Sequence, residues 1–133
     1  MLVDAVSDKA KDNTPAFCTG DFNATPDAPE IATTICQSGI LKDAYREAAV
    51  QHGALFTFPS KKTRIDFIFV KHATVLSTRT IVSSLSDHYP MVIVVEIKNK
   101  NEDYEKQILS YKYILGNEIL DHFMDGYFIF LML

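Results

Sequence analysis

An aspartate inside a strand of bulky apolar residues is the feature that most limits how this chain can fold. Residues 64–70 read Arg-Ile-Asp-Phe-Ile-Phe-Val. A run of β-branched and aromatic residues predicts a strand over residues 65–70. An ionised carboxylate deep in such a strand carries a heavy desolvation cost. Asp66 therefore belongs at the strand's edge, with a partner. Arg64, two residues away on the same face, is one candidate for a plain salt bridge.

Two more short patterns place a carboxylate beside an apolar run. Gly20-Asp21-Phe22-Asn23 follows residues 16–19, a predicted short buried strand. Ser86-Asp87-His88-Tyr89-Pro90 precedes residues 91–97, another predicted strand, with Pro90 at its start. Taken singly, each has a structural explanation. Gly-Asp after a strand is commonly a turn in which the aspartate bonds nearby backbone N–H groups. Asp87-His88 before a proline fits an ordinary loop.

Elsewhere the chain shows mixed α and β signals. Residues 1–11 have the spacing of the end of an amphipathic helix, and residues 13–15 form a turn. A helix is expected from Asp27, as N-cap with Glu30 as its capping-box partner, to about Ser38, where Gly39 stops it. A short helix is expected over residues 43–49. Residues 56–60 read as loop and residues 61–64 as a basic turn. Residues 74–82 are a further strand, and the spacing of the last three strands suggests neighbouring antiparallel pairs. A polar linker at residues 98–103 separates these elements from a tail with helical spacing at Ile108, Tyr111 and Leu115. This divides the chain into a domain over residues 1–98 and an extension of unknown role over residues 99–133, expected to be helical.

Composition bounds the function. The chain has 133 residues, 47% of them hydrophobic and 23% charged, which suits one globular domain and not a disordered chain. The net charge of −4 provides no global basic field for nucleic acid, which weakens a pure binding-module reading. It leaves a hydrolase open, because a bound divalent cation supplies local positive charge. Cys18 and Cys36 do not make a disulfide framework and are expected to be reduced, buried thiols. Residues 1–11 lack the apolar core of a secretory signal, and no stretch approaches the roughly 20 apolar residues of a membrane span. A cytoplasmic protein without a membrane span is the expectation.

Together the three patterns form a coherent chemical set. Phosphoester hydrolysis needs a hard cation held by oxygen ligands, an activated water and donors for the phosphoryl oxygens. Asp21, Asp87 and Asn23 offer oxygen ligands and a donor, while His88 with Asp66 offers an imidazole oriented by a carboxylate.

In this order the patterns resemble the C-terminal half of the endonuclease/exonuclease/phosphatase superfamily, over about residues 1–97. That superfamily includes deoxyribonucleases, abasic-site endonucleases, neutral sphingomyelinases and inositol polyphosphate 5-phosphatases. The resemblance implies an α+β fold: a partial β-sandwich with outer helices, about half of a four-layer α/β sandwich, with the site at one end where strand loops meet. It implies that Asp21 orients or deprotonates the attacking water, and that Asn23 contacts the scissile phosphate and helps hold Asp21. Asp87 would lie with Asp21 in the site of a Mg2+ or Mn2+ ion. His88 would bond a phosphate oxygen, and Asp66 would hold its ring. Arg64, with Lys61 and Lys62, lies in a basic cluster that could meet the substrate or could be a solvated turn. The substrate class would be a phosphoester: nucleic acid, a phospholipid head group or a sugar phosphate.

The family's first half carries a metal-binding glutamate and a second catalytic histidine, and neither can be placed in this sequence. His52 lies where the family has no general catalytic histidine and reads as a surface residue. The leading expectation is therefore a metal-dependent phosphohydrolase truncated at its N-terminus, with weak or absent activity of its own. The alternative is an inactive binding or assembly module that pairs or self-associates through exposed strand edges. A third reading, an unrelated domain with coincidental motifs, predicts that Asp21, Asp66, Asp87 and His88 lie scattered in the fold.

Overall fold

In a computed structural model of the chain, the described residues are Asp4, residues 14–97 and residues 127–132. The helix expected over residues 1–11, apart from Asp4, and the helical spacing around residues 108–115 lie outside them. The architecture is a partial α+β sandwich of two sheets. The first is built from β1 (Ala16–Asp21), β2 (Lys42–Asp43) and β4 (Asp66–Lys71), in the order β1-β4-β2. The second is built from β3 (Val50–Gly53), β5 (Thr74–Thr80), β6 (Met91–Glu96) and β7 (Tyr127–Met132), in the order β3-β5-β6-β7.

The apolar run after Asp66 explains the layering. Alternate residues of a strand point to opposite faces, and in β4 both faces are buried. Phe67 and Phe69 join Cys18, Phe22, Leu41, Ile31 and Ile35 in a core beneath the helix α1 (Glu30–Cys36). Ile68 and Val70 face the other way, into a core with Val75, Met91, Ile93 and Val95 from the second sheet. Met91, Ile93 and Val95 are buried in turn along β6, the alternation of a strand with one face inward. β4 is thus the central strand of its sheet and the wall between two cores.

Strand pairing departs from sequence order. The three later strands do not form a simple series of antiparallel neighbours. β5 and β6 do pair antiparallel, but β4 pairs with β1, antiparallel, and lies in the other sheet. β3 was not apparent in the sequence and runs parallel to β5. Its last residue explains part of its position. Gly53 has φ +81, and a Cβ there would come within 2.0 Å of the Thr80 carbonyl oxygen, so only glycine permits the approach. In the extension, Tyr127–Met132 is a strand, not helix, and pairs antiparallel with β6 over six residues. Its run of Tyr, Phe and Ile favours extended backbone.

The helices are shorter than expected. α1 begins after Pro29, with wide π-type turns and no side-chain cap, so the Asp27–Glu30 capping box does not form. Asp27 bonds Thr25 instead, and that hydrogen bond holds its carboxyl below the usual range. Gly39 does end the segment, with φ +70 and its N–H on the Cys36 carbonyl. The second helix, α2 (Ala44–Glu47), is a single turn capped by Asp43, whose carboxylate accepts the Tyr45 N–H. Cys18 and Cys36 are free thiols, half-buried, and burial raises the pKa of both.

Asp43 also decides the fate of Arg64. The guanidinium donates to both Asp43 oxygens, at 3.1 and 2.5 Å, and lies between the rings of Tyr45 (4.7 Å) and Phe67 (4.5 Å). Arg64 is 6% exposed. It pairs with Asp43 and not with Asp66, and it is buried, whereas its neighbours Lys61 and Lys62 in the expected basic cluster are exposed. Removing one partner of a buried, fully engaged ion pair strands the other charge. Arg64→Ala is therefore expected to destabilise the fold by about 3–5 kcal/mol. The Arg64→Met/Asp43→Asn double variant is expected to lose less, as read from denaturant melts of the full chain.

Candidate active site at the end of the sandwich

The last rung of the β1–β4 ladder sets two carboxylates side by side. Asp21 and Asp66 are cross-strand partners, in register with Phe17↔Val70 and Thr19↔Ile68. By strand parity both share the face of Ile68 and Val70, which looks toward the second sheet. Like charges directly opposite each other in an antiparallel pair repel. This arrangement needs a compensating group, and one comes from the other sheet.

The loop between β5 and β6, residues 81–90, brings His88 to this rung. Its neck is closed by the Ile81 N–H on the Pro90 carbonyl at 2.9 Å. Within it, the Ser86 hydroxyl accepts the His88 N–H at 3.1 Å and lies 3.4 Å from an Asp87 oxygen. His88 Nδ1 meets Asp66 Oδ2 at 2.8 Å. An ionised carboxylate can only accept, so the proton of this bond is on Nδ1 and Nε2 is left for other work. Asp66 is only 5% exposed, whereas Asp21 and Asp87 are exposed.

Electrostatics follow from these contacts. The hydrogen bond that His88 donates to Asp66 is the main reason that the His88 pKa is raised above 6.5, with the charges of Asp66, Asp21 and Asp87 adding to it and burial opposing it. The imidazolium is therefore favoured at this spot. One ligand atom from each of Asp21, Asp66 and His88 lies within 4.8 Å of the others. That spacing fits a small cation as well as a hydrogen-bonded pair.

Asp21, Asp66 and His88 converge, although they come from β1, β4 and a loop of the opposite sheet. The scattered arrangement required by coincidental motifs is absent. Asn23 stands at the exit of β1 with φ +50, a left-handed conformation that asparagine tolerates. Its backbone N–H, not its side chain, holds Asp21 Oδ1, at 2.8 Å. Asp87 is outside the three-residue cluster but close enough to act on His88. Lys61 and Lys62 remain exposed at the tip of the hairpin over residues 56–63, and Lys61 Nζ lies 5.9 Å from the Phe58 ring. His52 is exposed on β3, as expected of a surface residue. Three residues were overlooked in the sequence: Asp43, Thr57 and Phe58. The alternation Phe56-Thr57-Phe58, read as loop, was the one available sign that this segment is extended and packed.

Comparison with known proteins points to one family. The sequence model of the Endonuclease/Exonuclease/phosphatase family matches residues 1–88. Among solved structures, an endonuclease/exonuclease/phosphatase from Bacteroides vulgatus is 35% identical with a TM-score of 0.57, covering 63% of this chain and 37% of its own. A family protein from Bacteroides thetaiotaomicron is 24% identical with a TM-score of 0.59, covering 68% of this chain and 39% of its own. The mannosyl-6-phosphatase Bt3783 of the same organism is 24% identical with a TM-score of 0.58, covering 68% and 41%. The last two show likeness of fold alone. No curated protein matches the chain. The chain spans about two fifths of the length of these solved relatives. Among the described residues no helix is long and apolar enough to cross a membrane.

The raised His88 pKa has a thermodynamic signature. A pKa raised on folding stabilises the folded state most fully below the unfolded value, here 6.5, and that contribution is lost as pH rises through the folded value. The stability difference between the wild-type chain and His88→Gln should therefore be largest in mildly acidic buffer and shrink toward alkaline pH in urea melts. A difference that grew with pH would contradict the pairing. With the carboxylate ladder, the imidazole pair and the sequence match all in place, the chain belongs to the endonuclease/exonuclease/phosphatase family.

Proposed function

We propose that this chain carries part of the active site of a divalent-metal-dependent phosphoester hydrolase. The observation that carries the reading is the convergence of Asp21, Asp66 and His88 within 4.8 Å, with His88 Nδ1 on Asp66 Oδ2 at 2.8 Å. Family membership supports a phosphoester as substrate.

In this reading each residue has a distinct task. Asp66 orients the imidazole of His88 and favours its cation. His88 then presents Nε2–H to a phosphoryl oxygen and stabilises the charge that builds there. Asp21, held by the Asn23 backbone N–H, orients or deprotonates the attacking water. The Asn23 side chain, exposed beside it, contacts the phosphate. The donor set suits a hard cation, because exposed carboxylates are the oxygen ligands that Mg2+ and Mn2+ prefer. Asp21 and Asp87 would hold it, since Asp66 and the Nδ1 of His88 are already committed to each other. When bound, such an ion would supply positive charge to the phosphoryl group and polarise water.

A small phosphoester fits better than a long nucleic acid. The net charge of −4 gives no extended attraction to a polyanion, and Arg64 is taken up by Asp43. A sugar phosphate is the first substrate to try, given the mannosyl-6-phosphatase among the structural neighbours. A second reading is favoured by the strand β3, exposed along all four residues at the edge of its sheet. Exposed edges recruit further strands, so the chain could act as an assembly module or self-associate.

The test is Mg2+-dependent release of phosphate from a sugar phosphate and from a generic phosphodiester, with the mass of the chain measured at several concentrations. Asp21→Ala and His88→Ala should each lower the rate by about 10²- to 10⁴-fold, the worth of a positioned acid or base. Turnover indifferent to both changes would remove this mechanism. A concentration-dependent dimer without turnover would favour the assembly reading.

A further inference from the structure

The hairpin over residues 56–63 has no role in the chemistry proposed above, yet both members of the Asp66–His88 pair are fastened to it. Thr57 is fully buried, at 0% exposure. Its Oγ1 accepts the backbone N–H of Ile65 at 3.2 Å and of Asp66 at 3.1 Å. Its carbonyl oxygen accepts the N–H of Tyr89 at 2.7 Å. One residue thus grips the chain at Asp66 and again immediately after His88. The next residue, Phe58, lies against the imidazole, with ring centroids 4.8 Å apart and planes tilted by 37°.

The hairpin is itself firmly closed. Phe58 and Thr63 exchange backbone hydrogen bonds at 2.9 and 3.2 Å, and Thr57 N–H adds a third bond to the Thr63 carbonyl at 3.1 Å. Lys62 makes the turn with φ +51, its N–H on the Pro59 carbonyl. At the other end Phe56 stacks on Tyr89 at 5.9 Å. A short, cross-linked hairpin is therefore wedged between the head of β4 and the His88 loop.

We propose that Thr57 and Phe58 are positioning residues for the hydrolytic site, Thr57 fixing Asp66 through its hydroxyl and the His88 loop through its carbonyl, and Phe58 holding the plane of the imidazole. This rests on the reading of Asp66 and His88 as site residues. The physical need is clear. Asp66 belongs to a strand fixed by the β1 ladder, whereas His88 sits in a loop with exposed residues on its approach, from Ser84 to Asp87. A hydrogen bond depends steeply on angle, so a loop moving independently of the strand would break the pair. The hydroxyl and carbonyl of Thr57 make the two segments move as one. The ring of Phe58 closes one face of the imidazole and shields the Nδ1 proton from water.

The test reads the bond itself. In the full chain, the proton on His88 Nδ1 should appear in NMR spectra as a low-field, exchange-protected signal, assigned by its disappearance in His88→Asn. Thr57→Val, equal in shape but without the hydroxyl, should abolish the signal. Thr57→Ser, which restores the acceptor, should keep it. Phe58→Leu should leave the backbone bonds in place and speed exchange of the proton. An unchanged signal with native exchange in folded Thr57→Val overturns the proposal, as does its loss in both Thr57 variants. If thermal melts show Thr57→Val unfolded, Phe58→Leu and Thr57→Ser decide, and native exchange in Phe58→Leu overturns it. Because the readout is a bond and not turnover, a chain with the protected proton but no hydrolysis sinks the proposed activity and leaves the positioning role standing.

Discussion

A carboxylate that is only 5% exposed cannot stand unpaired, and Asp66 is such a group. Its pairing with His88 is the interaction on which the site depends. Asp66 opens β4, a strand buried along almost its whole length with a core on each face. His88 comes from the opposite sheet. Their bond therefore joins the two halves of the sandwich at the end where the chemistry is proposed, and it also offsets the repulsion between Asp66 and Asp21 across the ladder.

The buried charges nearby are arranged to leave this pair alone. Arg64, two residues before Asp66, would be a competing cation if it were free. Instead it is bound by both oxygens of Asp43 and covered by Tyr45 and Phe67. Asp43 also caps α2, so one carboxylate completes a helix end and neutralises a guanidinium. The imidazole is thereby the cationic group left to serve the two ladder carboxylates among the described residues around them.

Much of the site was legible in the sequence because its residues lie at strand ends, where a polar residue interrupts an apolar run. Asp21, Asp66 and His88 each mark such a break, and β1, β4, β5 and β6 follow from the runs themselves. What the sequence hid has physical reasons. The partner of Arg64 is Asp43, 21 residues away, and local spacing made Asp66 look equally suitable. β3 is short and exposed and pairs parallel with a strand far along the chain, so it has neither an apolar run nor a hairpin turn to reveal it. The strand Tyr127–Met132 is apolar throughout, without the alternation that separates strand from helix. Thr57 acts through backbone amides, which no side-chain pattern records.

The antiparallel pairing of β1 with β4 acts as a ruler for the site. A slip of a single residue turns every side chain of a strand to the other side of its sheet. With Phe17 and Val70 turned toward one core, and Cys18 and Phe69 toward the other, a slip of β1 would turn Phe17 and Cys18 each out of its own core. The distance between the two acidic groups is therefore guarded by greasy residues several rungs away. Precision at the reacting end of the molecule is inherited from the zipper behind it, and the loops need only deliver the imidazole to an address already fixed.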